Sequence, residues 1–118
     1  MKYKRVLLKV SGEALSGKTP IDFEKATETA LQIKALHDAG CLLGVVVGGG
    51  NIWRGRSGGT MDRSRADNIG MLATAMNALA LEQALIDLNV PVRVLSAVSM
   101  DMFMDSYSAR EANKSVDA

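Results

Sequence analysis

Residues 41–50, CLLGVVVGGG, carry the main evidence for the fold. From Cys41 they form a nearly uninterrupted apolar run that ends in three glycines. Such a run is typical of a central parallel strand that is covered on both faces. Glycines at the carboxyl end of such a strand let backbone N–H groups approach an anion, and positive φ is available to them without steric cost. Gly48 to Gly50 therefore predict a phosphate-binding turn, although the three glycines alone leave a plain tight turn open.

Outward from this run, short apolar segments alternate with longer segments of helical spacing, which predicts an α/β fold with a largely parallel sheet. The first strand is predicted at Arg5 to Val10. A helix follows, with Asp22 as its N-cap and Gly40 as its stop. After a loop from Asn51 to Arg65, the spacing predicts a second helix over 66–88, and Pro91 precedes a third predicted strand over 92–96.

The second predicted helix is apolar on two sides. One stripe holds Ile69, Leu72, Met76, Leu79, Gln83 and Ile86; the other holds Met71, Thr74, Ala78, Leu81, Leu85 and Leu88. A helix with two apolar faces needs two partners. One face can cover the sheet, and the other predicts further protein or a second subunit, so a non-catalytic assembly module remains an open alternative.

Composition argues against several classes of partner. The 118 residues carry 14 Lys plus Arg and 13 Asp plus Glu, a net charge of +1, which predicts no nucleic acid and no membrane partner. The N-terminal residues MKYKRVLLKV hold too few consecutive apolar residues for a signal peptide. With Cys41 as the single cysteine, the expected location is cytoplasmic.

A second glycine-rich stretch competes for the phosphate. Gly12 to Thr19, GEALSGKT, matches the P-loop pattern and follows a predicted strand. A P-loop enters its helix at the lysine, whereas here Pro20 follows and helical spacing begins only after Asp22. No later strand ends in the Asp that would help to hold Mg²⁺. A P-loop NTPase is therefore the weaker alternative.

The end of the first strand supports the triple glycine. Lys9 lies between Leu8 and Val10 and is followed by Ser11 and Gly12. A positive charge and several donors are thereby predicted at the edge where open α/β sheets bind ligands. The alternative is an edge-strand lysine that only limits aggregation.

Three motifs together resemble bacterial uridylate kinases (UMP kinases), which belong to the amino-acid kinase family. They are KVSGE from Lys9, GGGN-x-x-RG from Gly48 to Gly55, and ADNIGMLAT from Ala66 to Thr74 with Asn77 and Leu79. The first two also suit acetylglutamate kinases and aspartokinases, whereas the third is specific to uridylate kinases. The resemblance extends to about Tyr107, and residues 108–118 depart from the pattern expected of the family.

The resemblance implies a three-layer αβα sandwich with a mainly parallel sheet, truncated here. Residues 1–118 would be the N-terminal half of a single amino-acid kinase domain whose C-terminal half is absent. The implied activity is transfer of the γ-phosphoryl group of ATP to UMP in pyrimidine nucleotide biosynthesis, by a cytoplasmic homohexamer built of dimers. Mg²⁺ would accompany ATP, without a protein ligand in this chain, and the chain alone would be inactive.

The resemblance also implies a role for individual residues. The ATP-binding residues would be Lys9, Val10, Ser11, Gly12, Gly50 and Arg54. The UMP-binding residues would be Gly49 and Asp67, and Lys9 would also be catalytic, offsetting charge during transfer. Asp67 would accept hydrogen bonds from sugar hydroxyls, and stabilisation of a helix N-terminus is its alternative role. Trp53 is expected to pack within its loop rather than against a base.

Overall fold

A computed structural model of the chain describes residues 4–53, 62–96 and 104–117. The elements in chain order are β1 (Arg5–Val10), a 3₁₀ helix (Gly12–Leu15), α1 (Phe23–Asp38), β2 (Leu42–Val47), α2 (Arg63–Asp87), β3 (Leu95–Ser96), β4 (Asp105–Ser106) and α3 (Ala109–Asp117). The order of strands and helices, with parallel strand pairs, is that of an α/β fold.

Helix α1 begins and ends where the sequence predicts. The Asp22 carboxylate accepts a hydrogen bond from the Glu24 N–H at 3.0 Å, which satisfies one of the free donors of the first turn. It also accepts the Lys18 N–H at 3.1 Å. Past the last turn Gly40 has φ of 97°, a left-handed conformation that glycine adopts without strain and that ends the helix.

Helix α2 begins at Arg63, three residues before the predicted start at Ala66. Asp62 is its N-cap, because its carboxylate accepts the Arg65 N–H at 3.3 Å. The predicted loop from Asn51 to Arg65 is correspondingly shorter, and its residues 54–61 lie outside the described residues.

By length and composition alone, α2 is the one helix of the described ranges that could cross a membrane. Core helices of soluble proteins meet the same criterion, and α2 packs along α1 through buried Leu81, Ala84 and Leu85. That packing makes it a core helix of this fold.

The first sheet contains β1 and β2 in parallel. Lys9 is opposite Val46 and Val10 is opposite Val47, so the two strands end at the same level. The predicted third strand over 92–96 is shorter than expected: only Leu95 and Ser96 are paired, in parallel, with β4. Neither β4 nor α3 was predicted.

One face of the first sheet packs against α1 and α2. The buried core comprises Leu15, Ala26, Ala30, Ile33, Val47, Leu81, Ala84, Leu85 and Val90. On the opposite face Leu7 is 73% exposed and Val46 is 50% exposed. The prediction that β2 is covered on both faces is therefore met only in part by the described residues: α1 and α2 cover one face, and α3 also contacts this strand.

Helix α3 is joined to the second strand pair through one guanidinium group. Arg93 donates to Glu111 at 2.8 Å, to Ser115 at 3.0 Å and to Asp105 at 3.0 Å. The hydrogen bonds to Glu111 and then Asp105 raise the pKa of Arg93, and the bond from Arg93 lowers the pKa of Glu111. Ser108 accepts the Glu111 N–H at 3.1 Å and caps the helix.

Candidate active site

The candidate site lies where β1 and β2 end together, and its floor is Gly12. This residue is buried beneath the glycine turn, here defined as Gly48–Gly50. A Cβ at Gly12 would lie 2.9 Å from both Gly48 O and Gly50 N, and 2.6 Å from Asn51 Oδ1. Those separations are shorter than real Cβ contacts, so only glycine lets the two backbone segments approach this closely.

The glycine turn leaves two backbone donors without an acceptor among the described residues. Gly48 N–H continues the sheet by donating to Val10 O at 2.9 Å, and Gly49 O accepts the Trp53 N–H at 3.1 Å. Within the described ranges, no hydrogen bond uses the N–H of Gly49 or of Gly50. Adjacent backbone N–H groups without partners at the carboxyl edge of a parallel sheet form an anion-binding arrangement.

Gly49 is packed against α2. A Cβ on Gly49 would lie 3.0 Å from Thr74 Oγ1 and 3.1 Å from both Ala73 Cβ and Gly70 O. Neither Gly48 nor Gly49 has positive φ. What requires glycine at Gly49 is therefore its close approach to α2 rather than a left-handed backbone conformation.

Hydrogen bonds from the side-chain amides of Asn51 and the buried Asn77 hold the glycine turn in place. Asn77 is fully buried on α2, and its Nδ2 donates to Gly48 O at 2.8 Å and to Asn51 Oδ1 at 2.7 Å. In return, Asn51 Nδ2 donates to Asn77 Oδ1 at 3.0 Å and to Pro20 O at 2.7 Å. The pair thus connects α2, the glycine turn and the loop that precedes α1.

The predicted residues of β1 lie at the same edge. Lys9 is exposed near the carboxyl end of the strand, and Val10 next to it is half-buried. The Ser11 hydroxyl accepts the Glu13 N–H at 3.2 Å and caps the 3₁₀ helix. One lysine side chain is therefore carried by the same strand that ends beside the glycine turn.

Asp67 is exposed in the second turn of α2. It lies three residues before Gly70 and seven before Thr74, which places all three on one face of the helix. Gly70, Ala73 and Thr74 are the α2 residues that lie nearest Gly49, so Asp67 lies about one turn before the part of α2 that packs against the glycine turn. Trp53 donates its Nε1–H to Ala66 O at 3.1 Å, so it packs against α2 rather than within its loop as expected.

Arg54, a predicted ATP ligand, lies outside the described residues. The structure thus brings together the end of β1, the glycine turn and the face of α2 that carries Asp67.

The P-loop look-alike has no such geometry. Helix α1 begins at Phe23, four residues after Thr19, so no helix N-terminus faces Lys18. The Lys18 N–H donates to Asp22, and the Thr19 hydroxyl donates to Ile21 O. These groups are engaged within their own loop, which argues against the P-loop alternative.

The profile of the amino acid kinase family matches residues 4–118. The chain belongs to the amino acid kinase family. Its fold also matches the crystal structure of UMP kinase from Ureaplasma parvum, with a TM-score of 0.90 and 41% identity over 99% of this chain and 51% of that one. UMP kinase from Bacillus anthracis matches with a TM-score of 0.90 and 36% identity over 98% of this chain and 49% of that one. The chain spans about half the length of these two UMP kinases.

The family match continues past Tyr107 to residue 118, so the expected departure from the family pattern over residues 108–118 is wrong. The matched region includes α3, whose contacts with Arg93 integrate it into the fold.

Two residues of the site escaped the sequence-based assignment of roles. Asn51 and Asn77 belong to the quoted motifs, but neither was given a function. Asn77 lies in the apolar run from Met71 to Leu81, and a polar amide in such a run indicates a buried hydrogen-bonding role. The sequence contained that signal, but its partners in the glycine turn became evident only in the folded chain.

Proposed function

We propose that this chain contributes the phosphate-binding edge of a nucleoside monophosphate kinase that transfers the γ-phosphoryl group of ATP to UMP, giving UDP and ADP. The observation that carries the proposal is the pair of N–H groups in the glycine turn that have no partner among the described residues, beside the end of the strand that carries Lys9. The likeness to two UMP kinases supports the choice of substrate. Because the chain spans about half of their length, residues 1–118 are proposed as the N-terminal half of one domain.

Each residue has a role that follows from its chemistry. Phosphoryl transfer depends on positioning and positive charge rather than on a covalent catalyst. Lys9 is proposed to offset charge on the transferred group, and Ser11, Gly12 and Gly50 to line the ATP phosphates, with Val10 and Arg54 beside them. Gly49 is proposed to contact UMP.

Asp67 is proposed to bind the sugar of UMP. A carboxylate repels phosphate but accepts hydrogen bonds from ribose hydroxyls. Its position on the helix face that contacts Gly49 is compatible with a nucleotide lying along α2.

Mg²⁺ is proposed to arrive with ATP. Over residues 4–53, 62–96 and 104–117 no group of three or more His, Cys, Asp or Glu side chains is arranged to hold an ion. No step is assigned to the metal.

Substrate tests require the protein encoded by the entire reading frame in which this sequence lies. Incubation with ATP, Mg²⁺ and each of UMP, CMP, AMP and GMP should give rapid formation of UDP and little of the other diphosphates. Equal turnover of CMP and UMP, or turnover of neither, would contradict the proposal. The isolated 118-residue chain, assayed in parallel, is expected to be inactive.

A cytoplasmic homo-oligomer is also proposed, assembled through α2 as a hexamer of dimers. Three side chains of one apolar stripe of α2 are 51–56% exposed: Leu72, Met76 and Ile86. The other stripe faces inward, because Leu81 and Leu85 are buried in the core. L72E combined with M76E should shift the sedimentation coefficient of the whole protein towards the monomer; an unchanged coefficient would exclude this surface as the interface.

A further inference from the structure

We infer that Asn77 is a positioning residue, which holds the glycine turn in register with the loop before α1 through its amide pair with Asn51. The inference rests on the proposed kinase function. It concerns residues to which that proposal assigns no nucleotide contact.

The first argument concerns the burial of the Asn77 side chain and the hydrogen bonds that it makes there. The Asn77 side chain has no exposed surface, and its Nδ2 makes both of its hydrogen bonds to the glycine-turn segment, at Gly48 O and Asn51 Oδ1. A buried polar group that loses its partners incurs a desolvation cost, so the bonded arrangement is strongly favoured. The Gly48 carbonyl is thereby fixed relative to α2.

The second argument is that the pair joins both sides of the proposed site. Asn51 Nδ2 bonds Pro20 O, in the loop that follows the proposed ATP-binding residues of β1. Asn77 lies one turn beyond Thr74, which contacts Gly49 on the proposed UMP side. Two side chains therefore link segments assigned to the phosphate donor and to the acceptor.

The third argument concerns the free donors. Gly48 has its N–H bonded to Val10 O and its C=O bonded to Asn77, and that C=O lies in the same peptide unit as the Gly49 N–H, one of the two donors without a partner among the described residues. Without the Asn77 bond, the sheet bond to Val10 would be the one hydrogen bond left to Gly48 among the described residues. Small displacements of aligned groups lower the rate of transfer more than they lower binding.

The experiment compares N77A, N51A and a control, I33V, in the protein encoded by the entire reading frame. Ile33 is a buried core residue on α1, and its truncation to Val weakens the core but removes no contact of the glycine turn. Kinetics are measured with ATP and UMP at a temperature at which all variants are folded by circular dichroism. For N77A we expect kcat to fall about 10- to 100-fold, with KM for each nucleotide within about threefold.

N51A retains the bond from Asn77 to Gly48, so its kcat should fall less, about 5-fold. It also provides the test if N77A does not fold. The I33V control should keep kcat within about twofold of the parent, since a core methyl group does not position the turn. Unchanged kcat in N77A and N51A, or an equal loss in I33V, would overturn the inference.

Amide hydrogen exchange separates this inference from the proposed function. The Gly48 and Trp53 N–H groups are bonded in and beside the turn, and their exchange should accelerate at least about 10-fold in N77A but not in I33V. If the parent protein is inactive with every nucleotide, the proposed kinase function fails and the kinetic role of Asn77 fails with it. If the parent protein is active but exchange of the Gly48 and Trp53 N–H groups is unchanged in N77A, the positioning role of Asn77 is overturned.

Discussion

The two glycine-rich segments, Gly12–Thr19 and Gly48–Asn51, look alike in sequence and differ in the fold. Each follows a strand of the same parallel pair. In the first segment the Lys18 N–H and the Thr19 hydroxyl bond to residues of their own loop. In the second, the N–H groups of Gly49 and Gly50 have no partner among the described residues.

Comparison of the two segments indicates that the availability of hydrogen-bond donors, rather than glycine content, distinguishes a phosphate site. The Asp22 carboxylate accepts the Lys18 N–H and so competes with any anion at that loop. No acidic side chain of the described residues is bonded to the glycine turn, and Asn77 contributes a neutral amide that bonds its carbonyl side. A phosphate would therefore meet repulsion from Asp22 at the Lys18 end of the first segment and, at the second segment, donors without a partner among the described residues.

The largest expected effect separates the two lysines. K9A should lower kcat with ATP and UMP about 100-fold, because it removes a positive charge from the site of transfer. K18A should leave kcat within about twofold, because Lys18 is exposed and lies in the segment whose donors are engaged. Steady-state kinetics on the whole protein would check both variants; an effect of K18A that exceeds that of K9A would reverse the assignment of the two segments.

A smaller effect separates two glycines of the look-alike segment. G12A should destabilise the protein by about 1–3 kcal/mol, since its Cβ would press on the backbone at Gly48 and Gly50. A Cβ at Gly17 would meet chiefly the carboxylate of Asp22, a side chain that can rotate. The reduced entropy of the unfolded chain, worth about 0.4–1 kcal/mol, would offset part of that contact.

Urea midpoints of the two glycine variants provide the measurement. G12A should shift the midpoint clearly downwards, and G17A should shift it by less than half as much. Equal shifts would mean that the two positions tolerate a Cβ equally well. That result would conflict with the structure, in which a Cβ at Gly12 meets backbone atoms and a Cβ at Gly17 meets a side chain.

The smallest expected effect concerns pH and the first segment. The Lys18 N–H is the largest cause that lowers the pKa of Asp22 below its ordinary value of 3.8, followed by the other donors at the start of α1. The unfolded chain therefore takes up a proton at Asp22 at higher pH than the folded chain does. The contribution of this carboxylate to stability is present above the ordinary pKa and is lost as pH falls through the lower folded value.

The variant D22N tests that prediction. Asparagine can still cap α1 through Oδ1, but it offers the Lys18 N–H no second acceptor oxygen. The parent should be slightly more stable than D22N above about pH 5, and the difference should shrink towards about pH 2.5. Thermal unfolding across this range is the measurement. A difference that grows as the solution is acidified would show that Asp22 is not stabilised in its charged form.

The predictable part of the fold depends on local signals. Asp22 and Gly40 bound α1 as expected, and β1 occupies the predicted residues. The missed α3 had a local signal as well, since Ser108 and Glu111 have the spacing of a capping box. The degree of coverage of β2 could not be predicted, because an apolar strand does not specify how many layers of the chain will cover it.

The sequence by itself determined the positions of β1, α1, β2 and α2 and the presence of a glycine turn, because caps and apolar periodicity act over a few residues. Only the tertiary structure decided which glycine-rich segment keeps its donors free. That choice depends on Asp22 bonding back to one segment and on Asn77, 29 positions away in the chain, bonding Gly48 in the other. Such contacts form only when α2 packs against the ends of the strands, which no local pattern specifies.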